Sequence, residues 1–196
     1  MKMKLSVAVC TASLFIALPL FAQGQSGQPH GNNSDHSGHD NDGKSAAHRQ
    51  DAPHGFGGNV VLSTPAQAAA VGGVLTTVRS QLASASFRAS AGPAIPAAAQ
   101  SNLNSVIESD DAKSPAATAL AAKLFTAGPK ASRIVPDLLK GFSALRTDPA
   151  VLPSVVSRFN DFTNVASPGF ITSPPSEFLA MRAVLAQLTA AAASAK

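Results

Sequence analysis

Two stretches between Arg133 and Phe162 share one template, and that template limits what the chain can fold into. Ile134, Val135, Pro136, Leu138, Leu139, Phe142 and Leu145 are answered by Val151, Leu152, Pro153, Val155, Val156, Phe159 and Phe162, each 17 residues further on. On a wheel that advances ~100° per residue, the six apolar side chains of the first copy share an arc of about 140°, with Asp137 and Lys140 opposite. Alternation at a period of two would split Leu138 from Leu139 and fits less well. The template therefore predicts two amphipathic helices, and the short Arg146–Pro149 link favours packing them as antiparallel neighbours. Proline breaks a helix interior, so Pro136 and Pro153 are expected in first turns, where the amide has no partner. The two copies are expected to be core helices. The alternative is a ligand groove lined by Phe142, Phe159 and Phe162.

Residues 1–22 have the pattern of a secretory signal. Lys2 and Lys4 precede a mostly apolar run from Leu5 to Phe21, and Ala22 is small enough for cleavage. Thr11, Ser13 and Pro19 interrupt the run, which is short for a membrane span. No stable span is expected after cleavage, and the mature chain would be periplasmic or extracellular. Cys10 is the one cysteine. Its loss with the signal would leave no disulfide, thiol nucleophile or cysteine-based metal site.

Residues 23–57 change character. Gln, Gly, Asn, Ser, Asp and His dominate, and Phe56 is the one large apolar side chain. Such a composition predicts a disordered tail. It carries all five histidines, His30, His36, His39, His48 and His54, interleaved with Asp35, Asp40, Asp42 and Asp51. The five histidines with Asp35 and Asp40 are the candidate ligands for Zn, Cu or Ni, since neutral imidazole suits those ions. With Lys44 and Arg49 the tail is net negative while the imidazoles are neutral, and protonating them reverses its sign over roughly pH 5–8.

Residues 58–196 have the composition of one folded domain. Thr64-Pro65, Pro96, Ser114-Pro115, Asp148-Pro149 and Ser173-Pro174 each precede an apolar-periodic segment, a helix-start signature. The first helix is expected over Pro65–Phe87, with Val71, Val74, Leu75, Val78, Leu82 and Ala85 as its stripe. Gly72 and Gly73 lie inside it, explained by a close helix contact or by a bend. A second follows over 97–108, with Leu103, Val106 and Ile107 inward. A third spans 115–126, with Leu120, Leu124 and Phe125 inward, and Gly128-Pro129 stops it. The template pair comes next, then a loop over 167–175 and a last helix over 175–193. The alanine-rich end of that last helix should fray. Asn59–Leu62 is a short β-favouring run without a partner. The expectation is an all-α bundle of five to six short helices.

The folded part contains no His, Cys, Trp or Tyr. Serine or cysteine triads and histidine metal sites cannot be assembled from it. Its seven acids cluster only at Glu108, Asp110 and Asp111, in an order that lacks the spacing of a calcium loop. No phosphate-binding loop or dinucleotide fingerprint is present. Enzymatic activity and a tightly held cofactor are therefore not expected. Eleven Lys and Arg, scattered along the segment without an aromatic platform, argue against nucleic acid. The expected role is a non-enzymatic interaction or structural module of the cell envelope, with a protein partner there. The alternative is divalent-metal binding or buffering through the His-rich tail.

Overall fold

Proline stands at the start of each described helix, and a capping hydroxyl or carboxylate joins it at Thr64, Ser114, Asp148 and Ser167. The computed structural model describes Gly55, Phe56, residues 60–109, Asp111 and residues 113–195. Helix α1 (Pro65–Ala83) opens on a capping box: the Thr64 hydroxyl accepts the Gln67 amide, and Gln67 Oε1 accepts the Thr64 amide. Helix α2 (Ala97–Glu108) follows Pro96, which is its N-cap rather than its first residue. Ser114 caps α3 (Pro115–Phe125) by accepting the Ala117 amide. Asp148 similarly accepts the Ala150 amide and starts a 3₁₀ turn (Pro149–Val151) that runs into the template's second helix.

The described residues form eight α-helices, not five to six. The six expected helices are there: α1, α2, α3, α5 (Val135–Ala144), α6 (Leu152–Val165) and α8 (Ser176–Ser194). The additions are α4 (Pro129–Ser132) and α7 (Pro168–Thr172), single turns placed where a stop and a loop were expected. Each begins at a proline, where the fixed φ favours a helical turn. Four or five residues are too few to display a 3.6-residue period. Of the β-favouring run Asn59–Leu62, Asn59 lies outside the described residues and residues 60–62 form no strand.

The template pair behaves as its spacing requires. Pro136 and Pro153 sit in first turns. All its other members are buried except Ile134 and Val151, which are half-buried against the core. Helices α5 and α6 approach closely at Gly141, where a Cβ would come within 2.9 Å of Val155 Cγ2. Helix α2 lies among α1, α3, α5 and α8, and α1 runs along α8. Ser143 ties α5 to the end of α2 by donating to the Val106 and Ser109 carbonyls. All described residues belong to one compact unit.

The two ends of α1 and α8 depart from expectation. Helix α1 stops at Ala83, not Phe87. Ala85 adopts φ 53°, and the chain turns so that Phe87 enters the core. There the Gln100 carboxamide, 1% exposed, accepts the Phe87 amide and donates to the Ile95 carbonyl. The alanine-rich end of α8 continues to Ser194 because it is packed: Ala192 is buried and its carbonyl accepts from Gln67 Nε2. Of the two α1 glycines, only Gly72 meets a neighbour, with Pro149 Cγ 3.2 Å from a would-be Cβ; Gly73 meets nothing within 4 Å. Among the described residues no helix is long and apolar enough to cross a membrane.

Candidate functional site

The sequence-derived metal candidates, His30, Asp35, His36, His39, Asp40, His48 and His54, lie outside the described residues, as do residues 1–22. Among the described residues no group of three or more His, Cys, Asp or Glu could hold a metal ion. Two members of the acidic string at the end of α2 are described, and each has its own partner. Glu108 pairs with Arg79 at 2.6 Å, Asp111 accepts the Lys113 amide, and Asp110 is outside the described residues.

The phenylalanine seam is closed. Phe142, Phe159 and Phe162 are each 0% exposed, so they cannot line a groove. Phe178 stacks on Phe159 with centroids 5.0 Å apart and meets the ring of Phe170 edge-on at 5.2 Å. The outer face of Phe159 is covered by Phe56, whose ring lies 5.6 Å away. Phe56 is held by a two-point clasp. Its amide donates to Asn160 Oδ1 at 2.7 Å, and its carbonyl accepts from Asn160 Nδ2 at 3.1 Å. A hollow of about 170 Å³ remains beside it, bounded in part by Ile95, Leu179 and Ala183.

The larger feature is an open groove of about 510 Å³ between α3 and α5. Ala121, Ala122, Phe125 and Pro136 contribute its accessible apolar surface, above the buried Ala117, Val135 and Leu139. Lys113, Asp137 and Lys140 are the charged residues that line it. Phe125 is 47% exposed, against the expectation that it would point inward. The reason is geometric: five residues beyond Leu120 it stands about 140° away on the wheel, too far to share the face of Leu120 and Leu124. A second hollow, about 340 Å³, flanks α5 on its α6 side at Gly141, Ser154 and Arg158.

The charge around the groove is not scattered as the sequence suggested. Residues 113–140 hold Lys113, Lys123, Lys130, Arg133 and Lys140 against the one acid Asp137. Elsewhere in 58–196 the basic and acidic residues are equal in number, so the net positive charge of the folded part comes from α3–α5 and their links. Among the described residues none of those five cations is in an ion pair. Counting charge segment by segment, instead of over the whole domain, would have exposed this bias.

What the groove offers chemically is apolar area, ammonium groups and one carboxylate. No family model matches the chain, and neither a curated protein nor a solved structure matches it.

Proposed function

We propose that the chain is an exported, non-enzymatic module of the cell envelope that holds a protein partner in the α3–α5 groove. The observation that carries this reading is Phe125, 47% exposed at an apolar groove of about 510 Å³ in a domain that buries its other phenylalanines wholly or in part. Exposed aromatic side chains at apolar depressions are the usual anchors of protein interfaces. Export rests on the Lys2–Ala22 pattern, and a non-enzymatic role on the absence of His, Cys and Tyr from residues 58–196.

The test is photo-crosslinking in the intact envelope. A photo-reactive phenylalanine analogue at position 125 should give an adduct of discrete mass, while the same label at the exposed Thr76 on α1 should not. Equal labelling at both positions, or none at either, would remove the groove from the account. Sequencing the mature N-terminus should find Gln23 first.

The spacing Asp35-His36-Ser37-Gly38-His39-Asp40 supports a second reading, in which the tail captures Zn, Cu or Ni. Uptake by calorimetry should then vanish on deleting 28–54. It should also collapse between pH 7.5 and pH 5.5, as protons displace the metal from imidazole. Undiminished uptake by the deletion variant would exclude the tail.

A further inference from the structure

We infer that the occupant of the α3–α5 groove is an acidic amphipathic helix of the partner protein. This rests on the docking function proposed above and narrows it to one partner chemistry. Two independent features select it. The groove walls, α3 with 11 residues and α5 with 10, are about 15–16 Å long, the length of roughly three helical turns. Apolar side chains at i, i+3 or i+4, and i+7 would meet Ala121, Ala122 and Pro136 while Phe125 packs against them from the side. The second feature is charge. Lys113 and Lys140 line the groove at exposed positions, and Asp137 is the one opposing charge there. Glutamates flanking the apolar stripe of the incoming helix would find the ammonium groups of Lys113 and Lys140. Lysines there would meet like charge.

The alanines matter to the fit. Ala121 and Ala122 give α3 a shallow surface that lets another helix approach closely, while Phe125 closes one end. A short cation-poor segment with bulky apolar residues at helical spacing matches that shape. A basic or extended polar segment does not.

The probe is a pair of synthetic 14-residue helices with leucine at positions 1, 4, 8 and 11. Glutamate fills the charged positions of one and lysine those of the other. Titrated into the full chain at low salt, the glutamate peptide should bind about ten-fold more tightly than the lysine peptide. The preference should shrink as salt is raised. Amide shifts should concentrate on α3 and α5, and Phe125→Ser should abolish binding of both peptides. Lys113→Glu with Lys140→Glu, both at exposed positions, should reverse the preference. Equal affinity for the two peptides, with binding still lost in Phe125→Ser, would overturn the acidic partner and leave groove docking intact. Failure of both peptides alongside a specific crosslink at 125 would do the same. Failure of both peptides and of the crosslink would overturn docking as well. Palmitate binding that shifts the same amides, where neither peptide binds, would replace the helix with a lipid.

Discussion

The phenylalanine seam and the α3–α5 groove are built from similar side chains, yet one is sealed and the other open. At the seam, Phe159, Phe162, Phe170 and Phe178 surround one another, and Phe56 arrives from far away in sequence to cover Phe159. Asn160 holds that cover by bonding both polar groups of the Phe56 backbone. At the groove, Phe125 shares its surroundings with alanines, which are too small to enclose it, and it stays half in water. The contrast separates stability from recognition. Rings packed on rings hold the fold, whereas a ring beside small residues leaves a receptive surface.

The largest test of this contrast is truncation at the centre of the seam. Phe178 contacts three other rings and is 0% exposed, so Phe178→Ala should cost ~3–5 kcal/mol through lost burial and a residual cavity. The measurement is a urea midpoint. A loss below ~1 kcal/mol would mean that the seam is not the stabilising centre.

Gly141 probes the α6 side of the helix whose other side lines the groove. A Cβ there would lie 2.9 Å from Val155 Cγ2, a buried branched side chain with little room to turn. Gly141→Ala should therefore destabilise by ~1–3 kcal/mol despite its higher helix propensity. Gly73→Ala, with nothing within 4 Å, should instead stabilise by about 0.5–1 kcal/mol. If both glycines respond alike, propensity outweighs packing at α5.

Periodicity made the buried faces legible, and it failed where no period can form. The template set the faces of α5 and α6 correctly because its apolar positions recur over several turns. One-turn α4 and α7 carry no such recurrence. Gln100 and Asn160 were illegible for another reason. Amides normally face water, and only the tertiary fold brings the Phe87 and Phe56 backbones within their reach. Ala85 gave no warning either, because a left-handed turn is usually marked by glycine. The groove was half visible. Its apolar residues stand out in sequence, but Phe125 falls beside the stripe of α3, and the bias of charge needed a local count.

The cover on the seam can be released more gently than by removing a ring. Asn160→Ala deletes two hydrogen bonds to Phe56, worth about 1–2 kcal/mol together. Exchange of the Phe56 amide with solvent should quicken by about ten-fold or more, while amides of α1 and α2 keep their protection. Asn160→Asp retains an acceptor for the Phe56 amide but has no donor for its carbonyl, so it should fall between wild type and alanine. Uniform acceleration across the bundle would show that Phe56 is integral to the core and not a cover laid on it.

The smallest expected loss of stability falls at the groove. Phe125→Ser removes a ring that is already 47% exposed. The burial lost is about half that of a fully buried ring, and serine satisfies its hydroxyl in water, so the unfolding free energy from a urea titration should fall by no more than about 1–1.5 kcal/mol. The same substitution should abolish binding of the acidic helix, because a half-exposed ring in the free protein becomes the buried anchor of the complex. A cost approaching that of Phe178→Ala would mean that Phe125 is structural after all, and the distinction between the sealed seam and the open groove would fail. A silent change in both stability and binding would locate recognition elsewhere on the surface. Only the combination of a small loss of stability with lost binding assigns the two aromatic regions different work.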